Sequence, residues 1–188
     1  MKKYQIILWA YGLSMFSDGI LVPIYAFFVQ KVGGGILETA GAVSAFSIVA
    51  GITTILITRK PWNAQHKLRF LWVGWLIWLL GVISYLFIYD VQTLFAAAVL
   101  TGFGSALSNP ALDAEFSEAT SADSFAGWGS FEGINSIVSG IAALSGGVVV
   151  VRFGFDTLIY CMIVTATASL AVLVYYVRQK HLFENNPV

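Results

Sequence analysis

Six stretches of about twenty predominantly apolar residues, roughly 5–29, 39–58, 70–89, 93–112, 126–150 and 157–177, take up most of the chain. As helices they match the hydrocarbon thickness of a bilayer, and inside a bilayer only helices and closed barrels satisfy their own backbone. The expected class is therefore an all-α, multi-pass membrane protein, read as one domain over 1–188. Composition agrees: 58% of residues are hydrophobic and 11% charged, against about a quarter charged in soluble domains. Ten basic and ten acidic side chains cancel, which leaves no basic surface for nucleic acid. The first run follows Met1-Lys2-Lys3-Tyr4 directly and is too long for a signal-peptide core, so it reads as an uncleaved span.

Lys and Arg bias sets the expected orientation. With both termini cytoplasmic, the inner segments hold Lys2, Lys3, Arg59, Lys60, Lys67, Arg69, Arg178 and Lys180, and the outer ones only Lys31 and Arg152. That distribution suits a cell (inner) membrane protein.

Spans 2 and 5 are rich in Gly, Ala, Ser and Thr, the residues that let helix backbones approach closely. Span 3 is bulky, and its Trp72, Trp75 and Trp78 are expected to face lipid. Ser47-Ile-Val-Ala-Gly-Ile52 and Ser136-Ile-Val-Ser-Gly-Ile141 match at five of six positions with an offset of 89, and the same offset carries span 1 onto span 4 and span 3 onto span 6. The pattern predicts two three-helix units, about 5–89 and 93–178. Three is odd, so the second unit must be inverted, a 3+3 arrangement that points to secondary carriers with a midplane site.

Within span 1 a single carboxylate, Asp18, lies at helical spacing from Tyr11, Ser14 and Tyr25, and Pro23 follows it. A charge at the bilayer centre costs about 2.5–3.5 kcal/mol on insertion scales and is rarely left facing lipid. Pro23 frees a carbonyl one turn back and is expected to bend the helix. The stripe reads as a cavity wall, with Asp18 as a proton site or the partner of a cationic substrate; a carboxylate simply tying helices together is the competing reading. Glu132 and Asn135 form a second polar stripe in span 5. For Glu132 a pathway role and a side chain that simply reaches to the cytoplasmic interface are equally open; for Asn135, also a pathway candidate, helix–helix hydrogen bonding is the preferred reading. Asn109-Pro110-Ala111 matches the water-channel tripeptide, but that architecture needs two copies and only one is present. Pro110 is read as a bend, and Asn109 as the group that satisfies the freed backbone.

At the cytoplasmic end, Arg59 and Arg69 from the 2–3 connection and Asp113 and Glu115 after span 4 are candidate gate charges; a solvated charged surface explains them equally well. No Walker sequence, zinc-ligand spacing or nucleophile elbow occurs, so no enzyme chemistry, metal or cofactor is expected.

These residues resemble the major facilitator superfamily. The likeness rests on Asp18-Gly-Ile-Leu-Val-Pro-Ile-Tyr25 in span 1, Gly102-Phe-Gly-Ser-Ala-Leu-Ser-Asn-Pro110 in span 4, and Gly146-Gly147 through Arg152-Phe-Gly-Phe155. The family's Gly, Asp-Arg, Gly-Arg-Arg signature between spans 2 and 3 is missing, as is a membrane-embedded Arg in span 4, so neither gate nor coupling can be copied across. A typical member joins two six-span halves. The resemblance implies that this chain is one half, with spans 1 and 4 lining a cavity, 2 and 5 meeting the other half, and 3 and 6 facing lipid. The expected function is a half-size secondary active transporter, a homodimer whose two Asp18 carboxylates share one central cavity, moving a small solute by alternating access. Its partners would be the lipid bilayer, an unknown small molecule and a second copy of itself. The rival expectation is a non-transporting assembly or regulatory subunit, or half of a heteromeric carrier.

Overall fold

The computed structural model describes residues 3–120 and 124–185. Lys2, the side chains of Lys3 and His181, residues 121–123 of the acidic connection and the tail from 186 lie outside the described residues. The helices are α1 (Lys3–Gly19), α2 (Tyr25–Lys31), α3 (Ile36–Thr58), α4 (Ala64–Ser84), α5 (Val91–Ala119) and α6 (Ser124–Asn185), with 3-10 turns at Val22–Ile24 and Tyr85–Phe87. Among the described residues, five helical stretches are long and apolar enough to cross a membrane, with α1 and α2 counted as one, where six spans are expected.

The difference lies in α6. Expected spans 5 and 6 fall in one 62-residue run, which is interrupted at Gly154 by a left-handed φ of 82°. Phe131 stacks near Phe116, while Lys180 reaches the adjacent Glu115. In a straight helix residues 131 and 180 would stand about 70 Å apart. The chain therefore doubles back at Gly154, a residue that tolerates positive φ because it has no Cβ.

Local signals explain the helix starts. Asn63 Oδ1 accepts the His66 N–H at 2.9 Å and opens α4. Asp90 Oδ1 accepts the Thr93 N–H at 2.8 Å and opens α5, as N-cap side chains do. The acidic stretch expected as a break after span 4 is instead helical as far as Ala119, because α5 continues past Pro110. Tertiary contacts outweigh the lost Pro110 N–H: Phe116 packs on Trp128 and Phe131, and Glu115 is tied to α6.

Packing follows the small residues. A Cβ on Gly104 would overlap the Trp78 backbone, so α4 and α5 meet there at backbone contact. Buried polar stitches join α1 to the far half of α6: Ser17 donates to the Met162 carbonyl at 2.9 Å, and Ser169 to the Ala10 carbonyl at 2.6 Å. Trp75 in turn donates to Ser169 at 3.1 Å. Of the three tryptophans expected to face lipid, only Trp72 is exposed; Trp75 and Trp78 are buried core. The bulk of α4 was read correctly but its direction was not, because Gly74, Trp78 and Gly81 share one face that closes on α5. By contrast α3 is only 6% buried across its most apolar window, against 50% for α5. The apolar side chains of α3, Ile48 and Ile52 among them, remain exposed.

Candidate solute site at the break in the first span

Pro23 has no N–H to give the carbonyl one turn back, and the first span loses its α-helical ladder there. α1 stops at Gly19, the Leu21 N–H turns to the Asp18 carbonyl at 3.1 Å, and a 3-10 turn leads into α2. Asp18 thus stands on the last turn of α1, where the helix breaks. Carriers commonly build their sites at such discontinuities.

The break opens a cavity of about 340 Å³ lined by Asp18, Tyr25, Phe46, Ser47, Trp78, Tyr85 and Thr101 together with apolar side chains of the turn after α1 and of α3, α4, α5 and α6. Its volume falls within the range of small-molecule pockets. The Trp78 indole lies near the Asp18 carboxylate, and the Tyr25 and Tyr85 side chains lie near each other. Thr101 turns its hydroxyl back to the Ala97 carbonyl at 2.8 Å. No basic side chain lines the cavity, and among the described residues Asp18 has no ion-pair partner. Within this chain, α3, α4 and α5 supply the walls that face Asp18 across the cavity.

The other candidate residues are dispersed. Tyr11 stacks on Phe131 with ring centroids 4.4 Å apart and does not line the cavity. Ser14 is buried and donates to the Tyr11 carbonyl at 2.8 Å within its own helix. Asn109 is exposed on α5 and Glu132 exposed on α6. Glu132 and Asp113 lie close enough to Tyr11 for their charges to act on it. Asn135 is half-buried, with its Oδ1 lacking a partner among the described residues.

Of the gate charges, Arg59, Arg69 and Asp113 are exposed and form no ion pair among the described residues. Glu115 is 2% exposed. It accepts from Lys180 Nζ at 2.7 Å and from Tyr176 Oη at 2.9 Å, so its cation comes from the end of α6 and not from the 2–3 connection. Lys67 reaches only Glu118, at 4.0 Å on the surface. Sequence reasoning missed Trp78, Tyr85, Phe46 and Thr101 as cavity residues. The available signal was the Gly74–Trp78–Gly81 face, which marks Trp78 as packed inward.

No curated protein and no solved structure matches the chain. The family model of the Major Facilitator Superfamily matches residues 7–187, a span that takes in the broken first helix, the α4–α5 seam and the whole of α6. With its apolar helices and its cavity at a helix break, this chain belongs to the Major Facilitator Superfamily.

Proposed function

We propose that the chain is a half-size secondary active transporter that works as a homodimer and moves a small solute by alternating access, with Asp18 as the proton-coupling group. The observation that carries this reading is the unpaired Asp18 carboxylate in a cavity at the break of the first span. A carboxylate inside a membrane protein with no cationic partner is a default candidate for a proton or substrate pathway. The chemistry is binding and release of an unaltered solute, together with protonation and deprotonation of the Asp18 carboxylate.

The reversal at Gly154 supports counting α6 as two crossings, which brings the total to six. Packing supports an inverted 3+3 repeat. Under the 89-residue offset, the α4–α5 contact exchanges with that between the far half of α6 and α1. The α3–α5 contact, where Gly102 meets Phe46, exchanges with that between the near half of α6 and α1, where Gly146 meets Ile20. The contact of α4 with the far half of α6, Trp75 to Ser169, maps onto itself.

Homodimerisation is supported by the open faces of α3 and the near half of α6, where Ile48, Ile52, Ile137 and Ile141 are exposed repeat-equivalents. Arg59, Lys60, Lys67, Arg69, Arg178 and Lys180 collect at the bundle end opposite Lys31 and Arg152, which supports cytoplasmic termini in a cell membrane. The same open faces would also serve half of a heteromeric carrier or a non-transporting assembly subunit.

The test is internal pH in proteoliposomes challenged with a panel of solutes under an imposed pH gradient. Wild-type protein is expected to exchange protons for at least one solute, and Asp18→Asn to abolish that flux while still inserting. Equal coupled flux in Asp18→Asn would remove Asp18 from the mechanism, and no flux from either would favour the assembly-subunit reading.

A further inference from the structure

The lining of the Asp18 cavity restricts what it can hold. Its polar groups are few. The Trp78 indole lies near Asp18, the two tyrosines lie near each other, Thr101 donates to its own helix, and Ser47 adds one hydroxyl. A polyhydroxylated solute would find few free partners there, and each unpaired hydroxyl it buried would carry a desolvation penalty. An anion would meet a carboxylate with no Lys, Arg or His in the lining. The one formal charge in the lining is that of Asp18, and the rings of Trp78, Tyr25, Tyr85 and Phe46 line the same cavity. A carboxylate beside aromatic rings is the environment in which a weakly hydrated organic cation gains both Coulomb and cation–π attraction. Trp78 is 6% exposed and held against α5 through the Gly104 contact, so this wall is ordered before any ligand arrives.

We propose that the cavity binds a hydrophobic organic monocation, of the aryl- or alkylammonium type, with the Asp18 carboxylate as its counter-charge and Trp78, Tyr25, Tyr85 and Phe46 as its aromatic wall. The proposal rests on reading the chain as a carrier, but equilibrium binding is measured without flux. The two can therefore fail separately: a cation may bind to a protein that moves nothing.

The experiment is saturation binding of radiolabelled phenyltrimethylammonium to the full chain in lipid nanodiscs, with tert-butylbenzene and benzoate as competitors. The first competitor has the probe's shape without its charge, and the second carries the opposite charge. Saturable binding that neither competitor displaces at tenfold excess is expected. Asp18→Asn should weaken it at least tenfold, Asp18→Glu should retain most of it, and Trp78→Leu should weaken it roughly tenfold. Displacement by tert-butylbenzene as effective as by unlabelled probe would overturn the proposal in favour of a purely apolar site. Absence of saturable binding would overturn it outright. Should Asp18→Asn or Trp78→Leu fail to fold, the competitor series on the wild-type protein still decides between these outcomes.

Discussion

The buried Glu115 shows how one residue can carry much of a helix end. Its two oxygens take the Lys180 ammonium at 2.7 and 2.9 Å, and one also takes the Tyr176 hydroxyl. Breaking a buried pair costs about 3–5 kcal/mol, because the surviving charge is left without its partner. Glu118 stands 3.7 Å from Lys180 and takes over part of the role. Glu115→Ala is therefore expected to lower stability by about 3 kcal/mol in thermal unfolding in detergent, the low end of that range. Glu115→Leu combined with Lys180→Met should recover part of the loss. Asp90 makes a pH prediction. Hydrogen bonds from the Thr93 N–H and hydroxyl hold its carboxyl below the usual carboxylate range. A depressed folded-state pKa stabilises above the unfolded value and is lost as pH falls through the folded one. Stability should thus decline below about pH 4, and that part of the slope should vanish in Asp90→Ser, which keeps a cap but not the charge. At this scale the sequence was partly legible. Asp18 and Tyr25 stand out by chemical type in an apolar run, and both line the cavity. Tyr85 and Thr101 resemble the interfacial and packing residues around them, and only the tertiary path of α4 and α5 brings them to Asp18.

Among the elements, the α4–α5 seam and the reversal in α6 depend on single glycines for different reasons. At Gly104 the need is space: a methyl group there meets the Trp78 backbone. Overpacking of this kind costs about 1–3 kcal/mol. Because Trp78 is also a cavity wall, Gly104→Ala is expected to lower the melting temperature and weaken ligand binding together. At Gly154 the need is a dihedral angle, since nothing crowds its Cβ position while its φ is 82°. Gly154→Ala should cost about 1–3 kcal/mol, since φ 82° with ψ 174° is a region essentially confined to glycine, and leave the cavity unaffected. Comparing the two variants by unfolding and binding separates loss of space from loss of conformation. The spans were legible because twenty apolar residues have few alternatives. Their ends were less so: α4 begins at Ala64 and takes in Lys67 and Arg69, and α5 runs on to Ala119. Charged residues were read as breaks, yet a helix continues into water wherever caps and partners sustain it.

For the molecule as a whole, α3 and the near half of α6 present equivalent apolar surfaces to whatever surrounds the bundle. If a second copy covers them, single cysteines at Ile48 or Ile137, in a Cys161→Ser background, should crosslink like to like in native vesicles, whereas one at the exposed Leu76 of α4 should not. Equal, inefficient crosslinking at all three positions would indicate lipid on every face. The turn at Gly154 has a consequence on the same scale. At the bundle end that bears Lys31 and Asp156, joined at 3.1 Å, the chain turns through residues 32–35, 88–90 and a single glycine. A soluble macromolecule approaching from that side finds helix ends and almost no chain to grip. An antibody or a protease would have its handle on the opposite side, around residues 59–63. Large molecules would recognise this protein from one face.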